Sequence, residues 1–336
     1  MKDQTLIIGR GIAGSTLSLK MMERELPHIV IDSPNLSASS KVAAGLINPI
    51  VLKRLKLVSR AHEYLDFAQP FYRNIQKETG TNILNEMPIA HIFKSIGEIN
   101  TWGEKMSNPA FKPFLGDIIT ANNENIEAPL GYGLMKATAW LDTIAFLEFN
   151  RHKLGKNLII EKVNRENLTN LKKEFKHIII CNGHLLKDLY PSLHKAFAPT
   201  RGEVMVIESS AKLPDKLVLH GPVFILPLGQ NKFKVGATYH WDNLTDTPTK
   251  SGLNRLREDL EKILKSPFNI IHHQAGVRPN TKDRQPILGR LEKDVYCMNG
   301  LGSRGVLMAP LLAEKLLDHI YNNKALEPEL SVSRFI

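Results

Sequence analysis

The sequence predicts an α/β chain in which a discontinuous parallel-sheet domain carries an inserted antiparallel α+β domain. Three observations predict it. A strand, a glycine turn, a helix and a second strand open the chain. Two more short, wholly apolar runs end in Asn-Gly at residues 182–183 and 299–300. From Gly202 to Tyr239, apolar runs are separated by turn signals, as in an antiparallel sheet. Parallel-sheet pieces at the start, middle and end, with antiparallel material in the gaps, are most simply one domain inserted into another. The predicted division gives 1–80, 135–198 and 273–336 to the first domain, and 81–134 and 199–272 to the second. A length of 336 residues suits two domains.

Each element follows from its residues. Thr5-Leu6-Ile7-Ile8 is apolar throughout, as a strand covered on both faces requires. The helix after the turn is predicted over Ser15 to Leu26, with Leu17, Leu19, Met21 and Met22, and Pro27 marks its exit. His28–Asp32 is the second strand. His177–Cys181 and Val295–Met298 supply further parallel strands. A final helix is predicted over about 306–321, with Pro310 in its first turns, where a missing N–H costs little. In the insert, strands are predicted at Val204–Ile207, Leu217–Leu219, Phe224–Leu226 and Lys232–Ala237, then an amphipathic helix from Asn254 to Lys265.

Composition excludes several classes. The apolar fraction of 43% argues against wholesale disorder, and no apolar run approaches the ~20 residues of a membrane helix. The N-terminus enters a strand at once, so no signal peptide is expected. Two cysteines, Cys181 and Cys297, exclude a disulfide framework and point to a reducing cytoplasm. The 44 Lys+Arg against 34 Asp+Glu give +10, but the basic residues are spread out, with no long block and no zinc-finger spacing. The adjacent pair His272-His273 lacks partners at ligand spacing, so no metal is expected. Nothing in the sequence fixes an oligomeric state.

The opening turn carries chemistry. Gly9-Arg10-Gly11-Ile12-Ala13-Gly14 lies between strand and helix, and Asp32 lies 18 residues after Gly14 at the end of the second strand. Together these form a Rossmann-like dinucleotide fingerprint. Gly9 permits the turn, Gly11 lets backbone approach a pyrophosphate, and Gly14 lets helix and strand pack closely. Ile12 and Ala13 begin the helix, whose N–H groups and dipole favour phosphate. Asp32 would accept from ribose hydroxyls.

The fingerprint does not separate NAD from FAD; the rest of the chain bears on that. Ser39-Ser40-Lys41-Val42-Ala43-Ala44-Gly45-Leu46-Ile47-Asn48-Pro49, Gly131-Tyr132-Gly133 with Ala139–Asp142, and Ile180-Cys181-Asn182-Gly183 occur in order. Pro199–Glu203, Val235–Thr238, Ala275-Gly276-Val277-Arg278-Pro279 and Gly300-Leu301-Gly302-Ser303-Arg304-Gly305 follow. This series, spanning about residues 5–321, resembles the FAD-dependent D-amino-acid oxidase and glycine oxidase superfamily. The Gly-Ser-Arg-Gly form of the last motif, with Ala309-Pro310-Leu311, is most similar to one branch. That branch is the oxidase domain of the bifunctional enzyme of tRNA 5-methylaminomethyl-2-thiouridine biosynthesis, in which a methyltransferase domain comes first. Here the chain opens on the flavin strand, so no such domain is expected, and the tRNA substrate stays open.

The resemblance implies a Rossmann-like FAD-binding domain, non-covalent FAD, and oxidation of a C–N bond by hydride transfer to flavin N5. FAD is non-covalent by expectation because Gly276–Pro286 has no Cys for attachment. The implied cofactor-binding set adds Ser33, Ser40, Ala43, Ala44, Gly45, Leu46, Val163, Cys181, Asn182, Gly183, Gly302, Ser303, Arg304, Gly305, Val306 and Leu307 to the glycine turn and Asp32. The last six start the final helix and offer N–H donors; an ordinary helix start with Ser303 near the cap is the alternative.

Arg278 is the implied carboxylate anchor, able to offer two parallel N–H···O bonds; an ion pair with Asp283 is the alternative. Arg304 would help hold substrate or flavin, or else pair elsewhere. Tyr239 and His240 are candidate pocket walls, of which strand alternation lets only one face inward. Asn48 is a further substrate candidate. Three functions are therefore carried forward. One is oxidation of an amine or amino acid, another is action on an aminomethyl-uridine side chain of tRNA, and the last is a flavin binder without catalysis.

Overall fold

The computed structural model describes residues 2–34, 39–120 and 123–336. Its first sheet has six strands in the order Leu158–Ile160, His28–Asp32, Thr5–Ile8, His177–Ile180, Val295–Asn299, Ile287–Glu292. The first five run parallel and the last antiparallel. Alternation divides these strands between two cores. Ile7, Val30 and Ile179 face the side of the opening helix Ile12–Glu23 and the final helix Gly305–Asn322, while Leu6, Ile8, Ile178 and Ile180 face the other. Both faces are thus covered, as the continuous apolar runs predict.

The second sheet has eight strands: Asn269–Arg278, Thr200–Glu208, Lys232–Gly236, Phe224–Gly229, Val218–His220, Ile89–Ile92, Tyr132–Met135 and Leu115–Ile119. All neighbours are antiparallel except Val218–His220 with Ile89–Ile92. One face buries Met205, Ile207, Phe233 and Val235 under Leu256 and Leu260 of the helix Lys250–Glu261. Its other face opens on a cavity.

Two predictions change here. The cuts at 134/135 and 272/273 fall inside Tyr132–Met135 and Asn269–Arg278, both hydrogen-bonded along their length to strands of the eight-stranded sheet. Pro310 is the sixth residue of its helix, beyond the turn whose N–H groups are unpaired in any case. Its missing N–H would leave the Val306 carbonyl free. The buried Tyr72 hydroxyl, from the helix Ala61–Thr79, donates to that carbonyl at 2.9 Å. A tertiary hydrogen bond therefore replaces the helical one.

Candidate active site

The glycine turn is built as its spacing requires. Gly9 has φ +100°, in the left-handed half of conformational space, and a Cβ on Gly14 would lie 1.8 Å from the Gly9 carbonyl oxygen. Neither the opening nor the final helix is capped by a side chain of its N-cap residue, Gly11 or Arg304. Ser303 therefore does not cap the final helix. The two helix starts adjoin, since a Cβ on Gly305 would lie 2.7 Å from Ile12 Cγ2. Two sets of helix-start N–H groups and two positive dipole ends thus flank one space.

Around that space the chain closes. Ser40 Oγ accepts from the Ile12 N–H at 2.9 Å, tying the segment after the second strand to the helix start. The Arg10 N–H donates to Asp32 Oδ1 at 3.1 Å, and Arg10 itself is anchored by donating to the Leu147 carbonyl at 2.6 Å. Lys234, reaching from the eight-stranded sheet, donates to the Ala43 carbonyl at 3.1 Å. Burial lowers the pKa of that ammonium, against the opposing pull of Asp142.

Arg278 lies at the end of Asn269–Arg278, its guanidinium laid across Gly202, where a Cβ would meet Nη2 at 2.0 Å. It donates to the Thr238 carbonyl at 3.1 Å and stacks on Tyr239, 4.1 Å from the ring centroid. Asp283, its predicted alternative partner, instead pairs with Arg334 at 2.8 Å. No carboxylate lies within ion-pair distance of Arg278 or Arg304 among the described residues, and burial lowers the pKa of both. Two guanidinium groups without acidic partners thus face one cavity.

The cavity measures about 2180 Å³. That is about twice the upper end of ordinary small-molecule pockets, roughly 1,000 Å³. Its wall includes Gly9, Gly11, Ile12, Ala13, Asp32, Ser33, Ser40, Ala43, Ala44, Gly45, Leu46, Val163, Cys181, Asn182 and Gly183. Gly302, Ser303, Arg304, Gly305, Val306, Asn48, Tyr239 and Arg278 complete the predicted part of it. Asn48 spends its carbonyl on the Ile50 N–H at 2.8 Å, leaving its amide N–H groups.

Three predicted residues stand apart. Gly14 is taken up in helix–strand packing. The Leu307 side chain is fully buried in the core, so only its backbone remains to contribute. His240 does not line the cavity, whereas its neighbours Tyr239 and Trp241 do; its backbone bridges Arg201 and its Nε2 is buried.

A glycine cradle, paired helix starts, an acid at the strand end and a cavity of this size fit a flavin dinucleotide. The model of the FAD-dependent oxidoreductase family designated DAO matches residues 4–319. The chain belongs to this family of FAD-dependent oxidoreductases. It is 23% identical over 327 residues to the tRNA 5-methylaminomethyl-2-thiouridine biosynthesis bifunctional protein MnmC of Idiomarina loihiensis, covering 92% of this chain and 54% of that one. The same protein of Marinobacter nauticus is 27% identical over 363 residues, covering 96% and 56%. The chain thus spans about half the length of these curated relatives. Glycine oxidase of Bacillus subtilis is 28% identical over 156 residues, 44% of this chain and 42% of that one.

Among solved structures, glycine oxidase from Bacillus cereus superposes with TM-score 0.81 at 17% identity, covering 97% and 99% of the two chains. Iminodiacetate oxidase from Chelativorans sp. gives 0.80 at 14%, covering 97% of each. These likenesses show the fold. The family's cofactor is FAD.

Sequence reasoning missed Arg10, Lys234, Trp241, His91 and His220. Arg10 sits inside the fingerprint as a variable position, and Lys234 sits in a strand that reads as surface-alternating. His91 and His220 are 129 residues apart and meet only through strand pairing. Among the described residues no cluster of His, Cys, Asp and Glu is arranged to hold a metal, and no helix is long and apolar enough to cross a membrane.

Proposed function

We propose that the protein uses non-covalent FAD to oxidise the C–N bond of an amine bearing a carboxylate, an amino acid or its N-substituted form. The observation that carries this is Arg278, a buried guanidinium facing the cavity with no carboxylate of its own. A buried, unpaired charge is costly, and a substrate carboxylate held by two parallel N–H···O bonds supplies the missing partner. The names of one relative, glycine oxidase, and one structural neighbour, iminodiacetate oxidase, support this class. Glycine and iminodiacetate both carry a carboxylate on the carbon next to nitrogen.

In this reading Gly9–Gly14, Ser40 and Asp32 hold the dinucleotide, and Gly302–Leu307 offer N–H donors to its far end. FAD, when bound, supplies the hydride acceptor at N5. The protein's part is orientation: Arg278 fixes the carboxylate, Tyr239 stacks over the guanidinium, and the amine's C–H is thereby held in one direction. The two buried, unpaired cysteines suit a reducing cytoplasm.

A second reading, action on an aminomethyl-uridine side chain of tRNA, draws support from the rim. Exposed Lys53, Arg54 and Lys56 line the cavity without ion-pair partners among the described residues, and so does Trp241, which is 63% exposed. Such a rim favours polyanions. Anaerobic mixing of the flavoprotein with an amino-acid panel and with tRNA tests both. Bleaching by amino acids supports the first reading, and bleaching by tRNA alone supports the second. No bleaching by either leaves a flavin binder without catalysis.

A further inference from the structure

The cavity continues well past Arg278. On the open face of the eight-stranded sheet, register places Val204, Gly236, Phe224, His220 and His91 in one row across five strands. Residues opposite one another on adjacent strands share a face, and all five line the cavity. The row passes from a glycine and apolar side chains to two imidazoles. His220 is two strand spacings from Gly236, about 10 Å. The substrate end at Arg278 and the imidazole end are thus joined by an apolar floor.

The imidazoles form a directed chain. His91 Nδ1 lies 3.4 Å from His220 Nδ1, and His91 Nε2 lies 3.8 Å from Glu98 Oε2. The other charged group beside them is Lys94, whose backbone N–H donates to Glu98 Oε2 at 2.8 Å. Ser95 caps the helix Ile96–Met106 that carries Glu98. The His91 ring stacks on Trp102, with centroids 6.0 Å apart and planes 11° from parallel, and Trp102 Nε1 donates to the Gly116 carbonyl. His91 is therefore held in place. The carboxylate favours the His91 proton on Nε2, so His91 Nδ1 accepts and His220 Nδ1 donates to it. That leaves His220 Nε2 as an acceptor, with no hydrogen-bond partner among the described residues. Burial keeps both rings neutral, lowering His91 and pushing His220 down to about 3.

We propose that His220 Nε2 is a distal acceptor that selects substrates whose nitrogen or α-carbon substituent ends in a hydroxyl or N–H group. The inference rests on the carboxylate-bearing substrate proposed above and adds a second recognition point to the same cavity. A substituent ending in methyl would bury the acceptor unpaired, and that penalty sets the selectivity.

The test compares N-(ω-hydroxypentyl)glycine with N-hexylglycine, by calorimetric affinity and by anaerobic flavin bleaching, in wild type, His220→Phe and His220→Gln. Wild type should favour the hydroxyl compound by about 10- to 100-fold in Kd. His220→Phe should bring the ratio close to one, and His220→Gln, which keeps an acceptor, should restore part of it; rescue by Gln also excludes simple misfolding. Selective binding without bleaching would uphold the distal acceptor and refute the oxidation reading. Bleaching with no selectivity in wild type would refute the acceptor and leave the oxidation reading standing. Failure of both compounds to bind would overturn the acceptor.

Discussion

Arg278 shows how one residue's surroundings set its role. An Arg beside an acid is a structural pair, whereas the same residue buried over a glycine, stacked on an aromatic ring and lacking an acid awaits an anion. Here the nearest sequence candidate, Asp283, is taken by Arg334. Lys would keep the charge but lose the planar pair of donors. Arg278→Lys should therefore reduce kcat/KM for a carboxylate substrate by about a hundredfold, with most of the loss in KM. Steady-state kinetics checks this, and an unchanged KM would contradict it. Arg278 was legible because it stands in a recognisable Gly-x-Arg-Pro context. The His91–His220 pair was not, since neither residue sits in a local pattern that signals the other.

At the scale of elements, two devices decide whether the frame holds. The first is the opening turn, where Gly14 leaves no room for any side chain against the Gly9 carbonyl. Gly14→Ala should separate helix from strand and release FAD, checked by the flavin content and melting temperature of the purified variant. Full flavin occupancy with an unchanged melting temperature would refute this.

The second device ties the C-terminal segment to two helices. Glu327 pairs with Arg60, before the helix Ala61–Thr79, at 2.7 Å, and with Lys315 of the final helix at 2.5 Å. Burial alone would raise the Glu327 pKa, but the hydrogen bonds from Lys315 and Arg60 outweigh it and hold the carboxyl at about 2, below its ordinary 4.5. A depressed carboxyl pKa stabilises the fold above the unfolded value, and that stability disappears as pH falls through the folded one. Glu327→Gln should cost about 2 kcal/mol at neutral pH after solvent screening. The gap should close between pH 4.5 and about 2. Chemical denaturation across that range measures it, and a gap independent of pH would contradict the assignment. The helix Ala61–Thr79 was not predicted, although Tyr64, Leu65, Ala68, Phe71, Tyr72 and Ile75, which the structure buries, recur at helical spacing.

At the scale of the molecule, two sheets share one cavity, and segments far apart in sequence build its wall. The order of motifs made this interleaving legible, because short glycine patterns mark where strands end. Places where strands continue left weaker marks. In Asn269–Arg278 only Ile270 and Ile271 are apolar before Ala275, flanked by exposed Asn269, His272 and Gln274, so its first half lacks the longer apolar run that would have joined it to the sheet. The predicted cut fell there for that reason. The replacement of a helical hydrogen bond at Pro310 by Tyr72 was likewise beyond a one-dimensional reading, since it depends on a helix over 200 residues earlier.

All of these features converge on one claim, that the cavity orients a carboxylate-bearing amine through Arg278 while FAD is bound. The most direct measurement is the anaerobic rate of flavin reduction by an amino acid and by the same compound with its carboxylate converted to an amide. The carboxylate compound should reduce the flavin about a hundredfold more efficiently, and Arg278→Lys should narrow the gap. Equal rates in the wild-type protein, or a preference for the carboxylate that survives the substitution intact, would contradict it.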